Sequence, residues 1–125
     1  MTPAEELRYL VLALQREGNR ELADTLKPLG LTPSQAEVLQ VLEQFEQLTL
    51  TELGERLVCE TGSPSRLVNN MVKNGYIIKS PDPLDGRAIN LSLSDTARDL
   101  MPNLNAIEVA YNDEVVELVE NLPRP

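Results

Sequence analysis

Between Thr61 and Pro81 the chain reads TGSPSRLVNNMVKNGYIIKSP, with three basic side chains, Arg66, Lys73 and Lys79, and no carboxylate. The polar residues that lead this stretch, Ser63, Ser65, Arg66, Asn69, Asn70 and Lys73, are hydrogen-bond formers or cations. Such a set suits a polyanion that also displays donor and acceptor edges, which is the chemistry of the DNA major groove. There arginine pairs bidentately with guanine and asparagine with adenine, while hydroxyls and the free N–H groups of a helix start bond phosphate. On this reading Arg66, Asn69 and Asn70 face bases, and Ser63, Pro64 and Ser65 bring a helix N-terminus to phosphate. Lys73 meets phosphate further along, and Arg87, in the turn-rich segment PDPLDGR, reaches the flanking minor groove.

Plainer readings fit the same residues. A face of Ser, Asn, Arg and Lys is also what a solvated helix shows. Ser63–Pro64 is first of all a helix start, and Asp85 and Arg87 can close their turn by bonding each other. The order of the surrounding elements has to decide.

Those elements can be read from periodicity and punctuation. Pro3 after Thr2, with Glu5 and Glu6 following, starts a helix over residues 3–17 whose apolar face is Leu7, Leu10, Val11 and Leu14. Gly18 and Asn19 predict a break, with a short second helix at 20–28. Thr32 and Pro33 open another helix, with Ala36, Leu39, Val41 and Leu42 inward. Residues 47–50 read as a strand edge. Thr49 and Glu52 have capping-box spacing, so TELGERLV is a helix burying Leu53, Leu57 and Leu50. A turn over residues 60–62 leads to Ser63 and Pro64 and to a helix that ends at Gly75 as its C′ residue. Leu67, Val68, Met71 and Val72 form its apolar side.

The period then changes from 3.6 to 2. YIIKS and AINLSL alternate around a six-residue tip, PDPLDG, which predicts a hairpin. Ser94 and Asp95 start a last helix, with Leu100, Leu104, Ile107, Tyr111, Val115, Leu118 and Leu122 in near-heptad steps. Pro102 is expected to kink or restart it. A short helix, a turn, a basic helix and a hairpin in that order make a winged helix-turn-helix. The fold class is therefore mainly α with a small β-hairpin (α+β), in one domain over residues 1–125. Its DNA-binding winged helix is residues 31–93, flanked by helices at 1–18 and 95–122.

Charge and composition set limits. The 125 residues carry a net charge of −9, which argues against nucleic acid if taken whole. Residues 61–90, however, hold Arg66, Lys73, Lys79 and Arg87 against Asp82 and Asp85, a basic island in an acidic body. No apolar run approaches the roughly 20 residues of a membrane span. The acidic start lacks a signal-peptide pattern, and a single cysteine fits a reducing compartment, so the expectation is a cytoplasmic protein. With no histidine, no nucleophile–base pair and no phosphate loop, no catalytic residue, metal site or cofactor is predicted. Cys59 is read as a small packing residue in preference to a redox sensor, because Glu60 beside it raises a thiol pKa.

The segments LTPSQAEVLQVL, LTLTELGERL, SPSRLVNNMVKNGYI and DPLDGRAINLSLSD together resemble the MarR family of bacterial transcriptional regulators over about residues 31 to 97. The wing residues Asp82, Pro83, Asp85, Arg87 and Ala88, followed by the Ser92–Leu93–Ser94 turn, are the most specific part. The resemblance implies a homodimeric repressor on a pseudo-palindromic operator, with the terminal helices as dimerisation region. Leu7, Leu10, Val11, Leu14, Leu104, Ile107, Tyr111, Val115 and Leu118 are then the interface residues. It also implies a small-molecule effector in many members, but this chain is poor in aromatics and no pocket residue follows from the sequence. Gly86 departs from the family by standing where a second arginine is frequent. That departure and the net charge leave a second reading open, a winged-helix protein-interaction module.

Overall fold

The computed structural model describes residues 1–58 and 62–121. Among the described residues, five α-helices and three strands follow the order α1 (Pro3–Leu26), a 3-10 turn (Lys27–Leu29), α2 (Pro33–Phe45), β1 (Leu48–Thr49), α3 (Leu50–Arg56), α4 (Pro64–Lys73), β2 (Ile77–Pro81), β3 (Ile89–Leu93) and α5 (Asp95–Glu120).

Local chemistry accounts for most boundaries. The Thr2 hydroxyl accepts from the Glu5 N–H at 3.2 Å. Thr32 and Gln35 form a reciprocal capping box at the start of α2, and Thr49 and Glu52 repeat it at α3. The Thr49 N–H that bonds the Glu52 carboxylate holds that group below the ordinary carboxylate pKa. At the end of α4, Gly75 takes φ +86°, a conformation that L side chains resist. It lets the Tyr76 N–H reach the Met71 carbonyl at 2.9 Å and the Gly75 N–H reach Val72 at 3.1 Å. Between α2 and β1 the chain reverses in a tight three-residue turn. The Gln47 N–H bonds the Phe45 carbonyl at 2.7 Å, and Glu46 is held at φ 63°.

The strands form one antiparallel sheet in the order β1-β3-β2, with Leu48 opposite Leu91 and Ile77 opposite Leu93. The expected strand edge is therefore real, and it makes β3 the central strand. Pro81 is not in the hairpin tip but pairs with Ile89 as the last residue of β2. It is tolerated because β2 is an edge strand, where a missing N–H need not break a ladder. The tip is residues 82–88.

The core joins all layers. Leu26, Val38, Leu39, Leu42, Leu53, Met71 and Leu104 are fully buried, together with Val68, Leu91, Ala97 and Met101. Ser94 ties the end of α4 to the start of α5: its hydroxyl donates to the Gly75 carbonyl at 2.6 Å and accepts from the Ala97 N–H at 3.1 Å.

Several expectations need correction. α1 does not break at Gly18 and Asn19 but continues to Leu26. A mid-helix glycine costs about 1 kcal/mol, whereas fully burying a leucine such as Leu26 gains roughly 1.5–3 kcal/mol. The same stripe also carries the half-buried Leu22, so burial wins. Gly18 serves close approach, because a Cβ there would lie 2.6 Å from the Tyr111 hydroxyl of α5. In α2, Val38 is buried where Val41 is only half-buried. Leu50 is 37% exposed, because it is the first residue of α3 and has no turn beneath it. α3 stops at Arg56, leaving Leu57 half-buried and Val58 exposed. α5 runs through Pro102, which sits on an exposed face of the helix.

Candidate nucleic-acid interface

α4 is built to show one face outward. Ser63 caps it, its hydroxyl accepting from the Arg66 N–H at 3.3 Å, and Pro64 supplies the first turn. Val68 and Met71 anchor the inner face at 1% and 0% exposure. Arg66, Asn69, Asn70 and Lys73 are consequently exposed along one outer stripe, with Ser65 at its start. No carboxylate lies on this helix. The Ser63 and Ser65 hydroxyls are 3.0 Å apart and bonded to each other. Ser63 is thus occupied as a cap, and Ser65 is the freer of the two for an external acceptor.

The hairpin tip is rigidified by its aspartates. One Asp82 carboxylate oxygen accepts from the Leu84 N–H at 2.8 Å and the Asp85 N–H at 3.3 Å. These bonds, Leu84's first, hold the Asp82 carboxyl below its ordinary pKa of 3.8. The Asp85 carboxylate accepts from the backbone N–H of Arg87 at 3.0 Å. Asp85 and Arg87 do close the turn together, but through the main chain, and among the described residues no ion pair holds the Arg87 guanidinium. Gly86 is exposed, with nothing within 4 Å of where a Cβ would stand.

α4 and the hairpin face each other across a cleft of about 370 Å³, bordered by Asn69, Lys79, Arg87 and Thr51 and floored by Val68 and Leu91. Lys79 was counted in the basic island but not as a contact residue. Its ammonium donates to the Asn69 side-chain oxygen at 2.7 Å, joining β2 to α4. The signal was the two-residue period of a strand: Lys79 lies on the same sheet face as Ile77, which is buried toward the core.

The residues assigned to a dimer interface divide. Leu7, Val11 and Val115 are 63%, 53% and 38% exposed, while Leu10, Leu14 and Tyr111 are half-buried. Leu10, Leu14, Tyr111, Val115 and Val119 line an apolar groove of about 530 Å³ between α1 and α5. Ile107 packs partly against the protomer's own core. Leu104, expected at the interface, is instead fully buried in the protomer's core, because its end of α5 faces the sheet and α2. The side chain of Leu118, as well as Leu122 and Cys59, lies outside the described residues. Among the described residues no helix is long and apolar enough to cross a membrane.

Comparison with known proteins places this geometry. The MarR family model matches residues 29–88. The chain is 29% identical over 126 residues to the HTH-type transcriptional regulator SarZ of Staphylococcus epidermidis, covering 95% of this chain and 85% of that protein. SarZ of Staphylococcus aureus is 25% identical over the same coverage. Among solved structures, a cysteine-to-serine mutant of MarR from E. coli complexed with operator DNA superposes with a TM-score of 0.79 at 24% identity, over 94% of this chain and 83% of that one. The organohalide-sensing regulator RdhR-CbdbA1625 in its 2,4-dichlorophenol-bound form gives 0.80 at 23% identity, over 99% and 72%. The winged-helix fold is that of these solved structures, and the chain is similar to MarR-family regulators both over the matched segment and along most of its length.

Proposed function

We propose that this chain is a sequence-specific double-stranded DNA-binding transcriptional regulator that acts in the cytoplasm as a homodimeric repressor and has no catalytic role. One observation carries the reading: α4 presents Arg66, Asn69, Asn70 and Lys73 on a stripe free of carboxylates, directly beside a hairpin that holds Lys79 and Arg87. The family relatives named as transcriptional regulators, and a neighbour solved with operator DNA, support it.

In this reading residues 31–93 bind DNA. Arg66 and Asn70 read base edges, and Lys73, Ser65 and the helix start meet phosphate. Arg87 enters the minor groove. The exposed apolar residues of α1 and α5 pair with a second copy, which sets two α4 helices about 34 Å apart on a pseudo-palindromic operator. The exposure of Leu7, Val11, Leu12, Val116 and Val119, each above 50%, supports that pairing.

The test is fluorescence anisotropy with DNA selected from a random pool. Affinity falls steeply as salt rises. Arg66→Ala costs about 1–3 kcal/mol of binding and relaxes preference at one base position. The net charge of −9 favours a second reading, a protein-interaction module. That reading prevails if the pool yields no enriched sequence at physiological salt.

A further inference from the structure

Asn69 stands on the outer stripe of α4, where an asparagine is expected to read adenine. That reading needs both ends of the amide at once: the oxygen accepts from the adenine amino group while the nitrogen donates to N7. The structure engages one end. The Lys79 ammonium donates to the Asn69 oxygen at 2.7 Å, a short charge-assisted bond.

Three facts give this bond meaning. Lysine has three donors and no acceptor, so it fixes which end of the amide faces it. Lys79 comes from β2, whose pairing with the central strand places it opposite Leu91, so the ammonium is presented from a braced position and not from a loop. No carboxylate competes for it, since among the described residues no ion pair to Lys79 is found and the stretch from 61 to 81 contains no acid. Asn70, one residue on, has no such bond among the described residues and keeps both ends of its amide.

We infer that Lys79 is a specificity-setting positioning residue, which turns Asn69 into a donor reader that prefers guanine over adenine at its base position. The Lys79 bond takes one of the two lone pairs of the Asn69 oxygen and turns that oxygen toward the wing, so the amide nitrogen with its two N–H groups is the end favoured for an outward contact. Guanine presents two adjacent acceptors, N7 and O6, to such a group. Adenine presents one acceptor beside an amino group that then lacks a partner. The inference rests on the DNA-binding reading above and adds what that reading lacks, the agent that chooses the base.

Selection from random DNA by the full-length protein tests it, with Lys79→Met, Lys79→Arg and Asn69→Ala alongside. The wild type enriches guanine at one position in each half-site. Lys79→Met keeps the aliphatic stem without donors and shifts that position toward adenine by about tenfold. Lys79→Arg restores a cationic donor and with it the guanine preference. Asn69→Ala flattens the position, and adding Lys79→Met to it changes the preference no further. All sites are exposed, so melting temperatures stay close to wild type.

The inference is overturned if Lys79→Met weakens every sequence equally and lowers the salt slope while leaving base preference unchanged, because Lys79 is then a phosphate contact. Failure of the wild type to enrich any sequence removes the DNA-binding reading itself, and the inference with it.

Discussion

α4 and the C-terminal half of α5 both carry apolar residues on one side, but only α4 has them fully covered within its own chain. Val68 and Met71 of α4 are 1% and 0% exposed, covered by α2, α3 and the sheet. Val115, Val116 and Val119 of α5 keep 38%, 55% and 51% of their surface, and Leu7, Val11 and Leu12 of α1 keep 63%, 53% and 53%. A helix whose apolar side is fully covered needs nothing more to be stable. One that shows a row of valines to water has an apolar side left open to a partner. The winged helix is complete in one protomer, and the α1–α5 arm is not.

The contrast breaks most sharply in the core. Met71→Ala should cost about 2–5 kcal/mol, through lost burial and the cavity left behind. The urea midpoint falls by the same amount at every protein concentration if the winged helix is self-sufficient. A loss that grows on dilution would place Met71's support in the dimer instead.

On the arm, Val115→Glu should weaken self-association by roughly tenfold or more, since it sets a charge in an apolar contact. Sedimentation equilibrium reads that change. Protomer melting moves little, because Val115 borders the groove and is not in the core. Operator affinity drops in parallel, as two linked half-sites become one.

At the hairpin the effect is smaller and of opposite sign. Gly86→Arg has open space for its side chain and requires no left-handed backbone. It should tighten DNA binding several-fold and steepen the slope of log affinity against log salt by about 0.9, one extra phosphate neutralised. An unchanged slope would show that the tip does not approach the backbone.

The smallest effect is local. The Asp82 carboxyl is more acidic in the folded chain than in the unfolded one, because the Leu84 and Asp85 N–H groups bond its ionised form. Its contribution to the hairpin is therefore complete above the ordinary pKa of 3.8 and is lost as pH falls through the lowered value. The Leu84 amide resonance should shift in that acidic window only, and Asp82→Asn should abolish the shift.

What sequence disclosed divides along a similar line. Thr32, Thr49, Ser63, Ser94 and Gly75 were all legible, because caps are decided by the few residues around them. The outer stripe of α4 was legible for the same reason: one helix period separates its two faces. Gly18 was misread because its partner, Tyr111, is far along the chain, and a glycine that breaks a helix looks the same as one that lets another helix come close. Leu104 was misread because a heptad seam states that a side is apolar but not what covers it. The two-residue period puts Lys79 on the face of β2 that Ile77 shares, but that this face meets Asn69 of α4 depends on how the sheet packs. Glu46 gave no signal, since a non-glycine residue at positive φ is imposed by the turn around it.

α5 has a consequence for the operator. It runs unbroken through 26 residues, a rod about 39 Å long. Its first part, through Met101 and Leu104, is set in the core beneath the DNA-reading face, and its last part carries the exposed valines. In the dimer proposed above, this rod is a ruler. It would set the reach and the rotation of one reading head relative to the other. One base pair added between operator halves turns the second half by about 34°, so in the proposed dimer affinity should depend on the spacing of the site as well as on its letters.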